Sequence, residues 1–170
     1  TVSQVIQKSS NIGTVKMAMQ FTPTEQWHLF DQLGFGTPLN LGFPGESSGR
    51  VRPAKSWRPI EQATMSYGHG ISVSLIQMAR AYLVFARDGE VIPLSLTRVD
   101  GQPSNGRRVF SSKTVLALRD MLESVTLTGG TATRAQVPGY RVGGKTGTAL
   151  KIENGRYTKR YISSFVGFAP

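Results

Sequence analysis

The sequence of 170 residues predicts an α/β fold: helical segments as far as Leu122, then an antiparallel hairpin. Two observations carry this. Apolar residues recur every third or fourth position along the first part of the chain, the spacing of one helix face. In the last forty residues or so the pattern becomes strand-like from Tyr140 to Ile152 and from Tyr157 to Phe168. These runs are joined by Glu153-Asn154-Gly155-Arg156, and an Asn-Gly pair there signals a type I′ turn with positive φ at both central positions.

Each element has its own warrant. Thr1 to Gln20 reads as helical on both sides of a break: Val2, Val5 and Ile6 before it, Ile12, Val15, Met17 and Met19 after it. The break, Ser9-Ser10-Asn11, is expected in a turn between two helices, because short polar side chains compete for backbone groups. Thr22-Pro23-Thr24-Glu25 has the form of a capping box with proline at the first helical position. The helix it opens is expected to bury Trp27, Phe30 and Leu33 and to stop at Gly34. A long Gly-, Pro- and Ser-rich surface excursion follows to Pro59. Helix returns at Pro59, pauses at Gly68-His69-Gly70, and resumes from Ser72 to Arg87 with a buried stripe of Ile76, Ala79, Leu83 and Ala86. Asp88-Gly89 ends it. Val91 to Val99 reads as a strand and Gly101 to Asn105 as a turn. Ser112 is expected to cap a helix holding Val115, Leu116, Leu118, Met121 and Leu122, closed by Thr128-Gly129-Gly130-Thr131.

The composition suits one domain or most of one, with 39% hydrophobic and 18% charged residues. The longest apolar run, Ala81 to Ala86, is far too short to span a bilayer. The absence of cysteine excludes disulfides and thiolate metal ligands. Two histidines are too few for a metal site, and no cofactor is implied. The net charge of +10 concentrates at Arg50, Arg52, Lys55 and Arg58 and at Lys151, Arg156, Lys159 and Arg160. These clusters lack a helix-turn-helix or RNP pattern, so no nucleic-acid partner is expected. A solvated basic surface, an anionic membrane surface or a carboxylate-bearing polymer fits them better.

Two motifs overlap on one segment. Gly139 to Thr146 satisfies the phosphate-loop pattern G-x-x-x-x-G-K-[ST], which works only between an entering strand and a departing helix. Ala135-Gln136-Val137-Pro138 is a poor strand, and Gly147-Thr148 leads into strand residues. The competing reading is Lys145-Thr146-Gly147-Thr148 as an exposed strand offering one cation and two hydroxyls on one side, suited to a carboxylate. Gly147 would let a ligand approach the backbone. No glutamate stands out as a base for hydrolysing an acyl intermediate.

Lys145-Thr146-Gly147-Thr148 and Ser9-Ser10-Asn11 together resemble two of the three motifs of the penicillin-recognising serine acyltransferases. With Gln7-Lys8-Ser9-Ser10-Asn11-Ile12-Gly13, Ser66-Tyr67-Gly68-His69-Gly70-Ile71 and Gly167-Phe168-Ala169-Pro170, the whole chain resembles the transpeptidase domain of class B penicillin-binding proteins. The likeness is greatest to the septal, division-specific enzyme of Gram-negative bacteria. The third motif, S-x-x-K, is absent, since no lysine here has a serine three positions before it. Residues 1–170 are therefore expected to be a single partial domain, its nucleophile segment upstream of Thr1 and its end beyond Pro170.

The resemblance implies a penicillin-binding-protein/β-lactamase-like transpeptidase fold, an antiparallel sheet flanked by helices. It implies a peptidoglycan D,D-transpeptidase that acylates its serine with the stem peptide's D-alanyl-D-alanine end, or with β-lactams. Ser9 would relay a proton, Asn11 would hold the substrate amide carbonyl, and Lys145 would supply positive potential and orient Ser9. Thr146 and Thr148, beside Gly147, would bind the terminal carboxylate, and the Thr148 N–H would form half the oxyanion hole. Partners would be divisome proteins, including a lipid-linked glycosyltransferase. The location would be periplasmic, on an inner-membrane anchor outside this chain. A nonenzymatic β-lactam-sensing domain and a nucleotide-binding phosphate loop remain the alternatives.

Overall fold

The computed structural model describes residues 1–101 and 106–169 and resolves two compact units: Ser10–Leu116, and Thr1–Ser9 with the chain from Ala117 onward. Among the described residues no helix is long and apolar enough to cross a membrane. The turn expected at Gly101 to Asn105 lies, beyond Gly101, outside the described residues.

The unit from Ser10 to Leu116 holds α2 (Asn11–Ala18), α3 (Pro23–Gln32), α4 (Pro59–Met65), α5 (Leu75–Ala86) and the first turn of α6 (Ser112–Glu123). A small antiparallel pair, β1 (Glu90–Val91) with β2 (Arg107–Arg108), completes it. The reciprocal cap at Thr22 and Glu25 forms as expected, with Pro23 at the first position. Such a cap is worth about 1 kcal/mol. The residue that α3 fully buries is Gln26, while Trp27, Phe30 and Leu33 are half-buried. Phe30 packs between Phe35 and Trp57, with ring centroids 6.4 and 6.3 Å away.

The excursion between α3 and α4 is tied down. The Glu46 carboxylate accepts backbone N–H groups of Leu39, Asn40 and Leu41, and Arg50 pairs with Ser72. Gln77 explains why α5 turns a different face inward than the sequence suggested. Its amide donates to the carbonyls of Thr37 at 2.8 Å and Ser48 at 2.9 Å, and its oxygen accepts from Ser74 N–H at 2.8 Å. Loop carbonyls packed on a helix need donors. The buried stripe is accordingly Gln77, Ala81 and Val84; Ala79 and Ala86 are exposed, and Ile76 and Leu83 half-buried.

Three expected boundaries move. The strand expected from Val91 to Val99 is confined to β1, because Pro93 has no N–H to give a ladder. Beyond it the Ser95 hydroxyl closes a local turn on Thr97. Ser111, not Ser112, caps α6: its hydroxyl accepts from Thr114 N–H at 3.2 Å, while Ser112 Oγ donates to Asp88 at 2.7 Å. The same helix ends at Glu123, before the Gly-Gly pair. Val125 and Thr126 leave its axis to become fully buried, and the Thr126 hydroxyl donates to Val142 C=O at 2.8 Å.

In the unit that joins both ends of the chain, α1 (Val2–Gln7), the end of α6 and the hairpin of β3 (Gly143–Glu153) with β4 (Arg156–Phe168) come together. Asn154 and Gly155 at the hairpin tip have φ of +51° and +74°, the I′ geometry that the pair encodes. Strand pairing runs from Gly143 opposite Phe168 to Glu153 opposite Arg156, with an irregularity between Leu150 and Ile152. Gly144 is required: a Cβ there would meet the Phe165 ring at 2.4 Å and Val166 O at 2.6 Å.

The start of α4 yields a testable electrostatic device. Glu61 accepts Arg58 N–H and an Arg52 guanidinium N–H, both at 2.7 Å. These bonds, the Arg58 backbone bond first, hold its carboxyl down to about 2. A depressed carboxyl stabilises the fold above its unfolded value of about 4.3, and that contribution disappears as pH falls toward 2. Denaturation of the complete protein at stepped pH should therefore show Glu61→Gln losing less stability than wild type across this window. Parallel curves would contradict the assignment.

Candidate active site

The junction of α1 and α2 presents Ser9. Lys8 ends α1 in a helical conformation, Ser9 then takes φ +54°, and Ser10 extends to cap α2 by accepting Gly13 N–H at 3.1 Å. The polar triplet thus divides: Ser9 is the turn, Ser10 the cap, and Asn11 the first residue of α2 rather than part of the turn. A serine held at positive φ costs on the order of 1–3 kcal/mol, a strain that persists where surrounding contacts impose it. The contacts at hand are the Lys8 ammonium, which donates to Gly129 C=O at 2.7 Å, and the Gln7 amide, which donates to Ser124 C=O at 3.3 Å.

Lys145 meets Ser9 across 136 residues of sequence: its Nζ donates to Ser9 Oγ at 2.7 Å and to its neighbour's carbonyl, Thr146 O, at 3.1 Å. Lys145 is half-buried, and the desolvation lowers its pKa from that of a free lysine. Because the ammonium is the donor, Ser9 Oγ is left with its own proton to give. The pair is an ordered donor arrangement in which Lys145 donates to Ser9 and the Ser9 hydroxyl can donate onward.

Strand alternation revises the expectation that the cation and both hydroxyls lie on one side. Successive residues of a strand point to opposite faces, so Lys145 shares a face with Gly147, and Thr146 with Thr148. The hydrogen bonds agree: Lys145 reaches Ser9, whereas Thr146 Oγ1 lies 2.8 Å from Thr131 Oγ1. Thr148, opposite Ser163, is exposed. At Gly147 the missing side chain makes room for a neighbour, since a Cβ would lie 2.7 Å from Ser164 Oγ. Asn11 opens α2 in the other unit. Lys8 and Thr131 escaped the sequence reading: one stands beside the serine motif without belonging to it, and the other follows a Gly-Gly pair that read only as a helix stop.

The phosphate-loop pattern fails on its context. Lys145 and Thr146 lie inside β3, which continues to Glu153 with no helix after Thr146, and Thr133–Ala135 form a 3-10 turn rather than an entering strand. Backbone N–H groups in a ladder cannot also converge on a phosphate.

The family model "Penicillin binding protein transpeptidase domain" matches residues 1–170. The chain is 45% identical over 170 residues to the probable peptidoglycan D,D-transpeptidase PenA of Neisseria flavescens, covering 99% of this chain and 42% of that protein. It is 41% identical over 171 residues to the peptidoglycan D,D-transpeptidase FtsI of Escherichia coli, covering 100% and 29% respectively. Among solved structures, the apo transpeptidase domain of Burkholderia pseudomallei penicillin-binding protein 3 superposes with a TM-score of 0.94 at 55% identity, covering 100% of this chain and 52% of that one. Penicillin-binding protein 3 of Mycobacterium tuberculosis complexed with aztreonam superposes at 0.91 with 33% identity, covering 99% and 42%. The chain spans less than half the length of these curated relatives. By its sequence over all 170 residues and by its backbone, the chain belongs to the family of penicillin-binding protein transpeptidase domains.

Proposed function

We propose that this chain carries the proton-relay and carboxylate-binding parts of a septal peptidoglycan D,D-transpeptidase. The observation that carries the reading is the 2.7 Å bond from Lys145 to Ser9, formed between the two motifs that the family uses. In the proposed reaction a serine of an S-x-x-K segment outside these 170 residues attacks the penultimate D-alanine carbonyl. Its oxygen bonds to that carbon, and its proton passes to the lysine of the same segment. Ser9, held by Lys145, relays that proton to the departing D-alanine nitrogen as the amide bond breaks. An amine of a second stem peptide then attacks the acyl-enzyme carbonyl and gives a proton back through Ser9 to that lysine. The lysine returns it to the serine oxygen as the ester bond breaks and the cross-linked product leaves.

As the family resemblance implies, Asn11 would hold the substrate amide carbonyl. Thr146 and Thr148 would take the terminal carboxylate along the Gly147 strand, and Thr148 N–H would face the oxyanion with the nucleophile's own N–H. The relatives' names support the peptidoglycan substrate, and the aztreonam and ampicillin complexes of the mycobacterial relative support β-lactams as acylating ligands. No cofactor enters the mechanism. A membrane anchor elsewhere in the protein, a periplasmic site and divisome partners including a lipid-linked glycosyltransferase complete the proposal.

A fluorescent penicillin tests it. The complete protein should be covalently labelled and should cross-link stem peptides, and the 170-residue chain alone should take no label. Labelling of the short chain would locate the nucleophile within it and overturn the assignment. Labelling of the complete protein without cross-linking would favour the β-lactam-sensing alternative.

A further inference from the structure

We infer that Thr131 is a positioning residue for the carboxylate site: its hydroxyl donates to Thr146 Oγ1 and aims the Thr146 proton at the anionic end of substrate or β-lactam. The inference rests on the transpeptidase reading above. The two hydroxyl oxygens are 2.8 Å apart, and geometry alone permits either to donate. An anion decides between them. A carboxylate accepts only, so Thr146 must spend its proton on the ligand, and Thr131 must then be the donor to Thr146. A hydroxyl that accepts a hydrogen bond is a stronger donor in turn, so the pair acts as a two-link chain ending on the carboxylate.

Thr131 can serve this way because its turn is fixed at both ends. Gly130 N–H donates to Leu127 C=O and Ala132 N–H to Val125 C=O, both at 2.9 Å. A Cβ on Gly130 would lie 2.0 Å from Val125 O, so the backbone approach there admits only glycine. The same turn receives the Lys8 ammonium at Gly129 C=O. A closed circuit results: Lys8 adjoins Ser9, Ser9 accepts from Lys145, Lys145 adjoins Thr146, and Thr146 meets Thr131 two residues from Gly129. The turn therefore sets the Thr146 hydroxyl against the same frame that sets Ser9.

The test is a double-mutant cycle in the complete protein, read as the second-order rate of acylation by benzylpenicillin. Thr131→Val, which keeps the shape and deletes the hydroxyl, should slow acylation about three- to tenfold, the range of one neutral hydrogen bond. Thr131→Ser should restore it. In a Thr146→Val background Thr131→Val should have no further effect. The side chain of Thr131 is exposed, so the melting temperature should stay within a degree or two of wild type, a shift that surface substitutions rarely exceed. If the two substitutions multiply, or Thr131→Val alone changes nothing while Thr146→Val slows acylation, the positioning role is wrong and the transpeptidase reading survives. If Thr146→Val itself leaves acylation unchanged, the carboxylate site is misplaced and both fall.

Discussion

Ser9→Gly in the complete protein is expected to slow β-lactam acylation by about 10²- to 10⁴-fold, the usual worth of a positioned proton-transfer group, while leaving thermal stability unchanged or slightly higher. The separation follows from the backbone. Ser9 sits at φ +54°, where a side chain is strained and glycine is not. Relief of that strain offsets the larger conformational entropy that glycine brings to the unfolded chain. What remains is loss of the hydroxyl that accepts from Lys145 at 2.7 Å. The half-buried ammonium would keep only the Thr146 carbonyl of the two bonds described here. Stopped-flow acylation and calorimetry on the same sample distinguish the cases. Wild-type kinetics would remove Ser9 from the relay, and a parallel loss of melting temperature would mark its role as structural.

Thr148→Val should weaken acylation about ten- to a hundredfold. The substitution preserves volume and β-branching, which a strand tolerates, and Thr148 is exposed, so no buried partner is orphaned. The loss would be one hydrogen bond to a charged group, roughly 1.5–3 kcal/mol, which converts to that range if it acts in the transition state. Unchanged kinetics with a normal melting temperature would take Thr148 out of the carboxylate site. The effect should exceed that of Thr131→Val, because Thr148 would face the anion itself and Thr131 acts through a neutral neighbour.

Both experiments depend on features legible to different degrees in the sequence. Local chemistry could be read where one residue settles it. The Thr22–Glu25 cap, the Asn154-Gly155 turn and the proline starts of α3 and α4 form as expected, because each is decided within four residues. Readings that needed the partner surface shifted. The inward face of α5 turned to Gln77 once loop carbonyls required its amide. The strand expected to continue beyond Val91 ended there, ahead of Pro93, and α6 ended early because Val125 and Thr126 had burial and a Val142 carbonyl to reach.

By itself, then, the sequence determined the element types, the hairpin and the family, since motif spacing and turn chemistry are written in the chain. Only the tertiary structure decided how the motif residues are used. It bonded Ser9 to Lys145 across 136 residues. It also brought in Lys8 and Thr131 through a turn that the sequence marked only as a stop. The reason is physical: a cap or a hairpin turn closes within a few residues. The direction of a hydroxyl, and what an ammonium meets when half-buried, depend on chain segments whose meeting no local propensity encodes.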